Sequence, residues 1–242
     1  MKVAAQIREK IKEIPESEPF GYAQLGISPG NFFTAAKALE RLQKKGVIKK
    51  VSKGIFFKPQ KTIFGELEPN YDLLLKNYLF KDGERVGYVT GYTLYNELNL
   101  TTQMSFNTQV ATKRGRKKIE IGWLKANIVK AYVDVTEENY RLLGVLDALK
   151  DIKKIPGTTA DKALQILMPQ MKELALEDID SMMQYALQYP PRVRALLGAL
   201  IESIFPDKFD LKALKQSLNP YSTYKLNIKT STLPATSKWN II

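Results

Sequence analysis

The chain contains neither cysteine nor histidine. Disulfide bonds, thiolate catalysis, zinc fingers and every imidazole general base are therefore excluded. Carboxylate chemistry with magnesium remains open to this composition. Long hydrophobic runs are missing too. The longest clear one, Ala195–Ile201, is flanked by Arg194 and Glu202. It falls far short of the roughly 20 residues that span a bilayer. The first residues, "MKVAAQIREKIKEI", carry charges at helical intervals, unlike a signal peptide. A cytoplasmic protein with no membrane partner is expected. Acids are scarce in one region: residues 1–61 hold 13 Lys+Arg against 5 Asp+Glu, a net +8. Residues 62–242 hold 24 against 20, a net +4.

What is present suits a globular protein. The 242 residues are 44% hydrophobic and 26% charged, enough for one large domain or two smaller ones. The formal net charge is +12, and two thirds of it sits in the first quarter of the chain. A basic module of that kind points to a polyanion, most simply nucleic acid; the plain alternative is solubility.

The basic quarter has a readable order. Val3, Ile7, Ile11 and Ile14 make one apolar stripe and predict a helix over Lys2–Ile14. Pro15 ends it, and "PESEP" is a turn. "FGYAQLG" reads as a second short apolar element, about two turns of helix. In "SPGNFFTAAKALERLQKKG", Ser28 is a good N-cap, Pro29 suits a first turn and Gly46 a stop. Phe32, Ala35, Ala36, Leu39 and Leu42 are expected on its core face. Asn31, Thr34, Ala38, Arg41 and Lys45 are expected opposite, flanked by Lys37 and Lys44. That second face is short-chained at one end and basic at the other. Such a face suits the major groove, where Asn pairs with adenine and Arg with guanine. "VIKKV" and "GIFFKP", joined by "SKG", predict a basic hairpin with Lys49, Lys50, Lys53 and Lys58 near its tip. Helix, short helix, helix and basic wing is the winged helix-turn-helix order. The expected DNA-binding residues are Ser28, Asn31, Thr34, Lys37, Arg41, Lys45, Lys49, Lys50, Ser52 and Lys53. The plain alternative is a winged helix used for protein contacts.

"KTIFGELEPNYDLLLKNYLF" reads as a connector entering a short helix. After it, Gly91–Leu98 predicts a helix. "FNTQVAT" and "KKIEIGWL" predict two strands across a "KRGR" turn, and "IVKAYVDV" a third. The stretch "GYVTGYTLYNELNLTTQMSFNTQVAT" resembles that of AbiEi-type antitoxins. There a small-residue turn (Thr90–Gly91 here) leads into a short helix (Thr93–Leu98). Then come "Leu-Thr-x-Gln" (Leu100–Thr101–Thr102–Gln103) and a strand (Gln109–Thr112). The resemblance covers roughly residues 5–135. Asn99–Leu100 departs from the Gly–Leu common in that family. The resemblance implies the antitoxin half of a type IV toxin–antitoxin (abortive infection) system. It implies a winged helix that binds inverted repeats of promoter DNA and represses its own operon. It also implies a carboxy-terminal part that counteracts a nucleotidyltransferase-like toxin, bound directly or opposed only functionally.

Lys113, Arg114, Arg116, Lys117 and Lys118 form a second basic patch. It fits phosphates, or simply a solvated hairpin tip that discourages edge pairing. Further on, packing stripes predict helices from about 136 to 205. Thr136 is the expected cap of the first. Its core face is Tyr140, Leu143, Leu146, Leu149 and Ile152. Pro169 is expected to interrupt the next. Met182 and Met183 fit either a core or a partner groove. Glu177, Asp178 and Asp180 are read as acids in a first helical turn rather than a metal site. The tail from 219 on is polar and reads either as an ordered arm or as a loose end that orders on a partner, in which case Tyr221, Tyr224 and Trp239 are the expected anchors.

The expected fold is α+β: a winged helix-turn-helix at 1–61, a connector at 62–80, an α+β domain at 81–218 and a tail at 219–242. No cofactor, metal site or catalytic residue is expected. Besides the repressing antitoxin, two alternatives stand. One is a stand-alone winged-helix regulator without a toxin. The other is a winged-helix-targeted nucleic-acid enzyme. The second is disfavoured because "GYVTGYT" lacks the lysine and spacing of a phosphate loop, and no nuclease or nucleotidyltransferase signature is found.

Overall fold

The computed structural model describes residues 3–104, 107–113, 115–121 and 124–242. The architecture is α+β. Two compact units divide it, residues 1–77 with 120–124 and residues 78–119 with 125–242.

In the first unit, α1 (Val3–Glu13) is followed by β1 (Pro19–Gly21). A 3-10 turn over Pro29–Asn31 leads into α2 (Phe32–Lys44), then β2 (Lys49–Ser52) and β3 (Ile55–Phe57). The three strands form one sheet in the order β1-β3-β2, with antiparallel pairing throughout. The core is Ile7 and Ile11 of α1, Ala35, Ala38, Leu39 and Leu42 of α2, with Phe20, Leu25, Ile48 and Phe56. Each large apolar side chain buried here contributes about 1.5–3 kcal/mol relative to exposure. The sequence "FGYAQLG" does not form two helical turns. Its first residues extend as β1, because Phe20 pairs with Phe56 across the sheet, and turns follow. Gly46 sits at φ +69, the left-handed conformation that stops α2 at low cost.

The compact unit runs past residue 61. A two-residue-per-strand hairpin, β4 (Lys61–Thr62) and β5 (Gly65–Glu66), and α3 (Tyr71–Leu79) fill the stretch read as a connector.

The second unit opens with β6 (Phe80–Lys81), β7 (Glu84–Arg85), β8 (Gly87–Thr90) and α4 (Tyr92–Glu97). Next come β9 (Asn107–Thr112), β10 (Lys117–Ile121) and β11 (Leu124–Lys130), of which the end of β10 and the first residue of β11 are counted with the first unit. The sheet order is β10-β11-β9-β8. The expected pairing of the two strands across "KRGR" is therefore not adjacent. The strand β11 inserts between β9 and β10 and pairs with β9 in parallel. Its Leu124, Ala126 and Ile128 are buried, whereas β10 carries Lys117, Lys118 and Glu120. Burial decides which strand is central, and charge suits β10 to an edge.

Five helices complete the unit: α5 (Tyr140–Lys150), α6 (Ala160–Lys172), α7 (Leu176–Ala186), α8 (Pro191–Ile204) and α9 (Lys212–Gln216). Thr136 is not the cap of α5. Asn139 stands there, and its Oδ1 accepts from the Thr136 N–H at 2.9 Å. Nor does Pro169 interrupt α6. It is exposed, and α6 runs three residues beyond it to Lys172, forgoing the N–H bond to the Gln165 carbonyl. Met182 and Met183 belong to the core.

The last residues fold onto the unit. A 3-10 segment, Pro234–Trp239, places the Trp239 indole against α8. A Cβ at Gly198 would lie 2.2 Å from that ring, so only glycine permits the approach. The indole N–H donates to Glu202 Oε2 at 2.7 Å. Trp239 is 2% exposed, which removes it from the expected partner anchors. Tyr224 is half-buried beside Ile241, while Tyr221 is exposed.

Candidate nucleic-acid interface

The surface of α2 follows from its buried face. Ala35, Ala38, Leu39 and Leu42 point inward, at helical intervals of three and four. Ala38 was expected outside and Ala36 inside; the structure exchanges them. Phe32 is also largely outside. The outward ridge is consequently Phe33, Lys37, Glu40 and Lys44, with Thr34 and Arg41 along one flank, all exposed. Phe33 is 75% exposed, and Lys37 Nζ sits 4.6 Å from its ring centroid. Nothing local in the sequence marks Phe33 as the outward ring, since it adjoins Phe32 on the edge of the apolar stripe. Glu40 Oε1 pairs with Lys44 Nζ at 3.0 Å. The bond to Lys44 holds the Glu40 carboxyl below its ordinary range.

At the start of α2, Ser28 does not cap through its side chain. Its Oγ instead accepts from Asn31 Nδ2 at 3.1 Å, and Asn31 occupies the cap position. Both are exposed, as is Lys45. The 3-10 turn intervenes because Pro29 and Gly30 favour a tight entry.

The hairpin β2–β3 places its cations unequally. Lys50 and Lys53 are exposed, with Lys53 at the turn; Ser52 is half-buried. A register shift between Lys50 and Ser52 bends β2. Lys49 is exposed but forms an ion pair with Glu66 of β5. The Glu66 carboxyl is held below the usual range by that hydrogen bond. Lys49 is thus partly neutralised, and no nearby stretch of sequence announces its partner.

The second basic patch lies in the other unit. Lys113, Arg116, Lys117 and Lys118 are exposed. Arg114 lies outside the described residues. Lys113 is 3.7 Å from Asp134, and Lys117 Nζ donates to the Tyr78 hydroxyl at 3.5 Å.

A third polar group explains the "GYVTGYTLY" stretch. Alternate residues of β8 share a face, so Tyr88 and Thr90 both reach Asp147 on α5. Each donates to Asp147 Oδ2 at 2.9 Å. Lys150 Nζ donates to Asp147 Oδ1 at 2.6 Å. Tyr95 of α4 donates to Asp151 Oδ2 at 3.0 Å. Burial, with the Asp147 charge beside it, pushes the Tyr88 hydroxyl far above the ordinary tyrosine range. The arrangement locks β8 and α4 onto α5. One signal for it was in the sequence: a lone acid, Asp147, within the apolar run "LLGVLDAL".

The family profile DUF6088, described as a family of unknown function, matches residues 6–176. The chain belongs to that family. The match includes all of α2, the β2–β3 hairpin, the β8–α4 turn and the Asp147 lock. No curated protein matches the chain. Among the described residues, no helix is long and apolar enough to cross a membrane.

Proposed function

We propose that the first unit is a winged helix-turn-helix that binds double-stranded DNA. We further propose that the chain is an antitoxin that represses its own operon. The order α1, β1, α2, β2, β3 on a three-stranded sheet is compatible with a winged helix, and α2 takes the place of the recognition helix. One observation carries the reading. Thr34, Lys37 and Arg41 of α2, Lys45 just past its end, and Lys50 and Lys53 of the β2–β3 hairpin are all solvent-exposed in one basic unit.

In this reading Arg41 contacts guanine edges, and Phe33 adds an apolar contact to a thymine methyl. Lys37, Lys45, Lys50 and Lys53 bind phosphates. Asn31 and Ser28 fix the start of the helix at the groove wall. The second basic patch extends the phosphate contacts. The second unit counteracts a nucleotidyltransferase-like toxin, a role that rests on the resemblance to AbiEi-type antitoxins. No catalytic residue or cofactor is assigned, and the cytoplasm is the site of action.

A promoter–reporter fusion tests the regulatory half. Expression of the chain in trans is expected to lower reporter output, and output is expected to recover when Arg41 and Lys53 are both changed to Ala. Output indifferent to the chain would overturn autorepression. Co-expression with the adjacent gene tests the antitoxin half: toxicity that the chain does not relieve contradicts it.

A further inference from the structure

We infer that the second unit carries a binding pocket for a nucleotide, held by its phosphates. The pocket lies where the end of α5, the start of α8 and the last segment of the chain meet. Its volume is about 630 Å³, within the range of small-ligand sites. Five cations line it: Lys150, Lys153, Lys154, Arg192 and Lys225. Among the described residues of its lining there is no carboxylate.

The cations come from three separate segments, so folding brings them together rather than a local run of lysines. A concave wall of one sign focuses its potential into the cleft and attracts the opposite charge. The heads are partly fixed. Lys153 Nζ donates to the Lys225 carbonyl at 2.8 Å, and Arg192 Nη2 donates to the Lys150 carbonyl at 3.3 Å. Both keep further N–H donors for a ligand. Lys225 has no ion pair among the described residues, and Lys154 has only a long one, 3.9 Å to Asp151. Lys150 is half-buried behind them. Burial pulls its ammonium down, but Asp147 and Asp151 outweigh burial and keep it charged.

The rest of the lining suits a ring attached to the phosphate. Ile152 and Leu226 are buried and apolar, and the half-buried Tyr224 lines the same pocket. A neighbouring concavity shares Lys153 and Leu226 and adds Lys162 and Lys229, together with the carboxylate of Asp161, which accepts from the Lys229 backbone N–H at 3.0 Å. That continuity suits a phosphate chain longer than one group. A nucleotide meets these demands, either free or as part of a single strand. The inference stands apart from the DNA-binding role of the first unit.

Calorimetric titration of the full chain tests it with three probes: inorganic tripolyphosphate, adenosine triphosphate and a single-stranded oligonucleotide of about eight residues. At least one nucleotide probe is expected to bind. The combined change Lys153→Gln, Arg192→Gln, Lys225→Gln is expected to weaken that binding tenfold or more. Lys50→Ala with Lys53→Ala in the first unit should leave adenosine triphosphate and tripolyphosphate binding unchanged. Should the triple variant melt early, Lys225→Gln alone, at an exposed position, gives the same reading with a smaller loss. Binding of adenosine triphosphate identifies a free nucleotide as the ligand, and binding of the oligonucleotide alone identifies a strand. Binding of tripolyphosphate alone overturns the nucleotide assignment. No binding by any probe, or binding unaltered by the variants, overturns the pocket.

Discussion

The two units handle polar groups in opposite ways. The first buries a small core and leaves its cations outside on α2 and the β2–β3 hairpin. The second buries a much larger core and takes polar groups into it, with Asp147 only 2% exposed. The exposed cations of α2 and the hairpin are, in the function proposed above, a surface for DNA. A buried carboxylate with its hydrogen bonds satisfied serves the fold itself. Substitutions in the buried core of the second unit should therefore change stability, whereas substitutions on α2 and the hairpin should change binding and leave stability alone.

The largest effect is expected at Trp239. Trp239→Ala empties the space over Gly198 and should cost about 3–5 kcal/mol in urea unfolding. A loss below about 1 kcal/mol would mean that the last segment is not integral to the unit. Asp147→Ala comes next. It strands the Tyr88 and Thr90 hydroxyls and leaves the Lys150 ammonium only its longer pair with Asp151 at 3.6 Å, and should cost about 3 kcal/mol. Unchanged melting would dissolve the contrast drawn between the units.

Binding variants sharpen the other side. Lys50→Ala with Lys53→Ala should weaken all DNA sequences equally and lower the salt slope by about 2. The melting temperature should stay put. An unchanged slope would take the hairpin out of the interface.

The smallest effect concerns pH. The hydrogen bond from Lys238 depresses the Glu202 carboxyl; burial opposes it, and the Trp239 indole adds to it. An acid depressed in the folded state stabilises above its unfolded pKa, and the contribution is lost as pH falls through the folded value. Glu202→Gln should thus cost under about 1 kcal/mol near pH 7, since Lys238 is exposed and solvent screens the pair from its side. The cost should vanish below the ordinary glutamate range of about 4. A cost that grows on acidification would reverse the assignment.

Much of this was legible in the sequence, and the failures have physical causes. The apolar stripe of α1, the end of α2 and the basic hairpin follow from periodicity and from Gly46, whereas the start of α2 lies three residues later than Ser28 and Pro29 suggest. The exchange of Ala36 and Ala38 does not, because alanine gives little amphipathic signal and the buried stripe turns on the placement of Leu39 and Leu42. Phe33 was missed because hydrophobicity alone cannot say which of two adjacent aromatics faces out. The insertion of β11 between β9 and β10 depends on burial across the whole sheet, beyond the reach of a local turn. The pairing of Lys49 with Glu66, and of Trp239 with Gly198, joins residues whose contact only the fold creates.

The most direct measurement is binding of the purified chain to its own promoter DNA and to scrambled DNA over a salt series. The account predicts a strong preference for the promoter that Arg41→Ala removes, at a cost of roughly 1–3 kcal/mol on the specific site. Equal, salt-sensitive binding to both sequences, unaltered in its ratio by Arg41→Ala, would contradict it and leave α2 a basic surface without base readout.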